Sequence, residues 1–542
     1  MTKIFNYIIF ILIMCGFTLE VKGLPAIGPE TAFTQQLKTN LTSYSWKTNL
    51  NLPHFNVKDF GAKGDGTTED NATIQLAIDT AETNGGVVYF PKGTYILGNT
   101  PPHAGWLSEG WENMIIIRSN NVTLLGESMY NTILKRSSGV TGKNMLGGGG
   151  TTPSAGTYGI TNIIVKQLTL DNNGASSPGD ITQIYYSDNI MFDSVTFKNT
   201  TIDDAVDVNF GGGPVYIENC RFENIGGNVA SVQSEPIWMN GCYIIGCGFY
   251  NFASASGGLI QQGAASQAWI SDCLFKDVSS LFGGGGTSVS AAPAATYISG
   301  CSFTFTNAAA TNICNDNAVI DIQHSLFVSS ASDTATAMIG IRTNGTTIIR
   351  DCKFQGNRMG FFIDSPSGAR IYNSDIAVTG HSIRARNVTS PVCHIINNIF
   401  NTGGSSSGIR LDSSIPASSF LVKGNTFDGV TTAFLASDGS TNHQIINNFF
   451  KNVANNAIYS QNNVVQNRSI IMGNISPSTL VVPVDIYDGN MFFIGNVFHG
   501  SIQWNASGHT NYFFNNVYSN FLGTHYGNIT TNYNKGDNFQ FP

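Results

Sequence analysis

From Leu168 onward the chain repeats a short pattern of apolar and polar positions. An apolar residue is followed by two variable positions, then Cys, Asn or Ser, one further residue, and an aromatic or apolar residue. It reads IENCRF at 217–222, IGCGF at 245–249, ISDCLF at 270–275, ISGCSF at 298–303, IRDCKF at 349–354, INNIF at 396–400, VKGNTF at 422–427, INNFF at 446–450, IGNVF at 494–498 and FNNVY at 514–518. The Cys, Asn or Ser position, with Leu168 and Val195 as its apolar forerunners, recurs fifteen times at intervals of 20 to 28 residues. Alternation within each unit has the period of a strand, and self-similarity at this spacing marks stacked supersecondary units.

The leucine-rich alternative lacks its Leu-x-x-Leu-x-Leu consensus and its helical half. The pattern therefore predicts an all-β fold, a single-stranded right-handed parallel β-helix of about 15 coils. Each coil buries its Ile, Val and Phe against the coils above and below, about 4.8 Å away. Residues in one column become vertical neighbours, so Asn398 to Asn516 can pass amide hydrogen bonds from coil to coil. Cys220, Cys247, Cys273, Cys301 and Cys352 would occupy the same column, either as free buried thiols or as bonded pairs.

Composition agrees with strands and turns: only 11% of residues are charged, while Gly numbers 59. Residues 1–23 carry Lys3, an apolar run from Ile8 to Phe17 and small or β-branched residues before Leu24, the layout of a secretory signal. The apolar stretch is shorter than the roughly 20 residues of a membrane span, so a secreted chain with no membrane contact after cleavage is expected. A net charge of -8 repels nucleic acid and anionic lipid. The expected layout is a signal peptide at 1–23, an extension at 24–53, an N-terminal cap at 54–100, the β-helix at 101–520 and a tail at 521–542.

Residues 55–97 hold DFGAKGDG, then a helical stretch with Ile74, Ala77, Ile78 and Ala81 on one face, then GGVVYFPKGTY. This segment resembles the opening of the pectate-lyase superfamily, whose parallel β-helices include polygalacturonases, pectate lyases and phage tailspikes. The resemblance implies a capping helix at the N-terminal end, with Asp59 and Asp65 fixing turns. It implies a polysaccharide as partner, and a monomer or homotrimer.

Glycosidic hydrolysis needs a proton donor and a second carboxylate. The richest acidic cluster is TIDDAVDV, with Asp203, Asp204 and Asp207, followed one coil later by Glu235 and by Trp238, an aromatic face for a sugar ring. Counting from the markers sets Asp207 and Glu235 on the same face of adjacent coils. The paired Asp203 and Asp204 resemble those of polygalacturonases, although the Asn-Thr-Asp, Gly-His-Gly and Arg-x-Lys elements are missing. A glycosidase using Asp203, Asp204, Asp207 and Glu235 is the first reading.

A uronate lyase is the second. It needs a group that removes the proton next to a carboxylate and a cation, Ca²⁺ or Arg, that neutralises the acid. Arg342, Asp364, Arg384 and Arg386 with His381 nearby, then Arg410 and Asp412, supply such a face, Arg342 and Asp364 being stacked neighbours by the count. The same alternation describes a surface salt-bridge ladder. No metal-ligand spacing occurs among the His residues, and the Asp-Pro-His element of alginate epimerases is missing, so no cofactor is required unless Ca²⁺ assists a lyase. A non-catalytic glycan-binding or structural β-helix is the third reading.

Overall fold

The chain divides into two units, Met1–Leu50 and Asn51–Pro542. The computed structural model describes residues 52–522 and 539–540 apart from connecting segments, among them 201–203, 210–213, 234–241, 278–294, 307–318, 342–346 and 365–368. The proposed signal peptide therefore lies outside the described residues. No helix among them is long and apolar enough to cross a membrane.

The second unit is a right-handed parallel β-helix. One sheet of 18 strands runs its full length, from His54–Asn56 to Tyr512–Phe514. Every one of the fifteen marker residues follows a strand of this sheet, and three further strands precede them. The sheet therefore holds three strands beyond those that the repeat marks. Phe55, Val88, Leu124 and Val165 are successive neighbours in the early coils, where longer connections stretch the period beyond the one the repeat shows.

The corner after each first-sheet strand explains the pattern. The residue before the marker takes a left-handed conformation, for example Asn219 at φ 54°, Asp272 at 54°, Asn397 at 58° and Gly424 at 66°. Gly, Asn and Asp tolerate this region best, so a position that looks variable in sequence is conformationally selected. The chain turns there, buries the marker and enters the second sheet, whose Phe residues point inward. Phe197, Phe222, Phe249, Phe275, Phe303, Phe327 and Phe354 stack as one column, neighbouring centroids 4.5 to 5.0 Å apart.

A third row of strands closes the turn in two described stretches, a seven-stranded sheet over 107–262 and a ladder from Ala337–Ile341 onward. The long strand Ile475–Ile486 begins against Phe449 in the second sheet and ends against Ile458–Ser460 in the third, so the two ladders share one strand.

Helix α1, Asn71–Ala81, is the expected cap: Ile74, Ala77, Ile78 and Ala81 are fully buried. Gln75 docks it by exchanging two hydrogen bonds with the backbone of Ile116, 2.8 and 2.9 Å, on the strand Trp111–Ile117. Asp65 fixes a turn as expected, its carboxylate accepting the backbone N–H groups of Thr67 and Thr68 at 2.9 and 2.8 Å. Those bonds hold its pKa well below the usual carboxylate range.

The marker column contains both chemistries that the sequence left open. Asn398, Asn425, Asn448, Asn474 and Asn496 each donate a backbone and a side-chain N–H to the amide oxygen of the next, ending at Asn516. The seven described cysteines are buried free thiols, not bonded pairs. Burial pushes Cys247, Cys273 and Cys301 well up and Cys352 to about 12, which leaves them uncharged and unreactive.

Candidate functional site

On the third sheet, Thr182–Tyr185 pairs with Val206–Asn209, which pairs with Ala230–Gln233. Val206 and Val208 fill the interior, so strand alternation turns Asp207 to the outward face. Only 6% of Asp207 is exposed. Its Oδ2 accepts the Tyr185 hydroxyl at 3.2 Å and the Gln183 amide at 3.5 Å. Gln183 also donates to the Tyr185 oxygen at 3.3 Å, which orients the phenol proton toward Asp207.

The row continues toward the cap. Asn144 donates to Gln183 Oε1 at 2.5 Å and to Asn113 Oδ1 at 3.2 Å. Gly147, in register with Gln183, leaves room for it: a Cβ there would lie 2.1 Å from the Asn113 amide carbon. Asn144 also accepts the Asp180 N–H at 3.0 Å, and Asp180 accepts the Asp204 N–H at 2.9 Å. Among the described residues the result is a buried run of amides that leads to the Asp207 carboxylate with a phenol on it.

This arrangement differs from the expected carboxylate pair. Asp207 stands across from Ser231, not Glu235. The later coil carries its extra residues between the third and first sheets, after Gln233, so counting back from the marker shifted the register. Asp203, Glu235 and Trp238 lie outside the described residues, and Asp204 is half-buried at the turn into the strand.

The second region lies on the strands Met359–Asp364, Ile383–Arg386 and Ser407–Leu411, in the ladder that runs on from Ala337–Ile341. The register sets Phe362 beside Arg384 and Arg384 beside Arg410, with Asp364 beside Arg386. Arg342 is outside the described residues; Ile341, just before it, pairs with Ile363, just before Asp364. Asp412 accepts from Arg384 Nε at 2.6 Å on one oxygen and from Arg410 Nε at 2.9 Å on the other. Arg386 lies 4.7 Å over the Phe362 ring. His381 Nδ1 accepts the Ser407 N–H at 3.2 Å, while its Nε2 is 3.5 Å from Arg410 Nη1. Burial, then the charges of Arg410 and Arg384, lower the His381 pKa.

Residues 54–274 match the family model described as rhamnogalacturonase A/epimerase, pectate lyase-like. This stretch is a pectate-lyase-superfamily β-helix domain. Residues 279–476 match the model of a periplasmic copper-binding protein, NosD. Alginate lyase 7 of Azotobacter vinelandii is 37% identical over 136 residues, 24% of this chain and 14% of the relative. Mannuronan C5-epimerase AlgE3 of the same organism is 41% identical over 121 residues, 22% of this chain and 6% of the relative. The chain thus spans a small fraction of either relative's length. Among solved structures, the Streptococcus pneumoniae surface protein and adhesin PfbA is 16% identical, with 75% of this chain and 99% of that one covered at a TM-score of 0.41.

Asp207, Tyr185, Gln183 and Asn144 all fall within the pectate-lyase-like domain, whereas the arginine face lies beyond its matched residues. Tyr185 and Gln183 escaped the sequence reading. Each lies one coil from the strand of Asp207, but third-sheet strands carry no marker, and connections of unequal length hide their alignment. The signal available was the repeated apolar-x-apolar core shared by TQIY and VDVN.

Proposed function

We propose that the chain is an exported enzyme that cleaves a uronate-containing polysaccharide by elimination, with Asp207 and Tyr185 as its proton-transfer pair. The observation that carries this reading is the Tyr185 hydroxyl on the Asp207 carboxylate, with the Gln183 amide bonded to both. A carboxylate joined to a phenol suits removal of one proton and delivery of another. Asp207 accepts the proton next to the uronate carboxylate, and the C–H pair becomes the new C=C bond as the glycosidic oxygen leaves with the Tyr185 proton. The hydrogen bond between Tyr185 and Asp207 then returns the proton to the phenol.

Hydrolysis, the first reading from the sequence, calls for a second carboxylate across from the first. The register puts Ser231 there, and the Asp180 carboxylate is used in holding the turn at Asp204. The names of the two relatives, a lyase and an epimerase, favour uronate chemistry as well. Ca²⁺ was the expected assistant of a lyase. Among the described residues no three carboxylate or imidazole groups converge on a metal position, and oxygens of Asp180 and Asp207 are committed to internal donors, so no step is routed through it.

Polyuronates should yield a product with the ultraviolet absorbance of a conjugated C=C bond. Asp207→Asn and Tyr185→Phe should each lower kcat by about 10²-fold or more, the usual worth of a positioned acid or base. New reducing ends without the absorbance would replace elimination by hydrolysis.

A further inference from the structure

We infer that Arg384, Arg410 and His381 form a second, non-catalytic subsite that binds a carboxylate of the same polysaccharide far from the reacting sugar. The inference rests on the proposed uronate substrate for its ligand class, and on its own geometry for its place. Counting first-sheet strands from Val215–Glu218 to Val392–Ile396 gives seven steps between the coil of Asp207 and that of Arg384. At ~4.8 Å per step this is roughly 34 Å along the solenoid, a separation that a long polymer spans and a short oligomer does not.

Three features separate this patch from an ordinary ladder of ion pairs. First, the stoichiometry is unequal. Lys166 pairs with Asp193, Arg350 with Asp321 and Lys451 with Asp428, one to one, whereas Arg384 and Arg410 share the single carboxylate of Asp412. Second, both arginines reach Asp412 through Nε. This fixes the guanidinium planes and leaves their terminal nitrogens with no hydrogen bond to Asp412, on side chains 35% and 40% exposed. A guanidinium so held matches a carboxylate with two parallel donors.

Third, two donors converge with no acceptor between them among the described residues. Because Nδ1 of His381 takes the Ser407 N–H, the neutral ring carries its proton on Nε2, and that N–H faces Arg410 Nη1 at 3.5 Å. An anion oxygen accepting from both would satisfy the pair. The same tautomer removes His381 as a general base, since its one lone pair is occupied. Asp412 is then a positioning residue, aligning the two guanidinium groups, and the half-exposed row from Phe362 through Arg384 and Arg410 forms the track on which the chain lies.

The test uses the full chain with long polymannuronate as probe, a short mannuronate oligomer, a sulfated glycan and a neutral glucan as comparisons. Binding is measured on the inactive Asp207→Asn background. Adding Arg384→Gln and Arg410→Gln should weaken polymannuronate binding about tenfold or more, as loss of charge-assisted hydrogen bonds implies. In the active protein the same pair should raise KM on the polymer and leave kcat on the short oligomer unchanged. Should the pair disturb folding, as judged by Tm, Arg384→Gln, Arg410→Gln and Asp412→Asn together remove the orphaned carboxylate and must weaken binding equally. Unaltered polymer affinity in a folded variant, or equal affinity for the neutral glucan, overturns the subsite. Preference for the sulfated glycan over polymannuronate overturns its assignment to carboxylates. If no unsaturated product ever forms yet binding depends on the arginines, the proposed reaction falls and the subsite stands.

Discussion

The two halves of the solenoid use one coil and fill it differently. Toward the N-terminal side the marker column is made of thiols, from Cys220 to Cys301, and the outward face of the third sheet buries its polar groups in an amide row. Toward the C-terminal side the column is made of Asn, and the third sheet presents half-exposed arginines. A thiol gives its neighbour a weak bond, as in Cys220 N–H to Cys247 Sγ at 3.4 Å. An Asn accepts two hydrogen bonds from the coil before it and donates to the coil after it and to a carbonyl, as Asn448 does with Asn425, Asn474 and the Val422 carbonyl. The geometry of stacking is thus indifferent to the column's chemistry, while the cost of changing one member is not.

That difference can be broken by substitution. Asn448→Ala should be the most damaging change. It strands the Asn425 N–H and the Val422 carbonyl in the interior, and unsatisfied buried groups cost about 1–3 kcal/mol each, so a loss of about 3–5 kcal/mol in urea unfolding is expected. A loss below about 1 kcal/mol would mean that the amide column is ornamental to stability.

The acid limb comes next. His443 is fully buried between Phe420 and Phe434, accepts the Phe420 N–H at 3.3 Å, and has its pKa pushed down to about 3 by burial. Unfolded, it takes a proton near pH 6.5. The unfolded state therefore binds more protons between these values, and stability falls as pH drops below about 6.5, by up to about 1.4 kcal/mol per unit. His443→Leu should flatten that limb, and an unchanged slope would assign acid sensitivity elsewhere.

Cys273→Ser should matter least, within about 1 kcal/mol. Ser325 already occupies the column, accepting the Cys301 N–H at 3.2 Å and bonding the Gln323 carbonyl at 2.9 Å. If Cys273→Ser proved as harmful as Asn448→Ala, the two halves would not differ in the way described.

Legibility followed the same division. The first and second sheets could be read because a left-handed corner, a buried marker and an inward Phe recur at nearly constant spacing. The third sheet could not, because its strands join the next coil through connections of unequal length. Asp207 was named from its chemistry, and the residue across from it was expected four positions too far along, Glu235 where the register sets Ser231. Tyr185 and Gln183 went unnoticed for the same reason. The arginine face was named from its chemistry: the count paired Arg342, outside the described residues, with Asp364, while Arg384 and Arg410 stand 14 and 15 residues before their markers, one residue off the pairing observed.

The central claim is that Asp207 and Tyr185 exchange protons with a uronate. Its most direct measurement is the ultraviolet absorbance released from polymannuronate by the wild type, Asp207→Asn and Tyr185→Phe at equal folded concentration. The wild type alone should produce the absorbance at an appreciable rate, with both variants about 10²-fold slower or worse. Full turnover by either variant would contradict it.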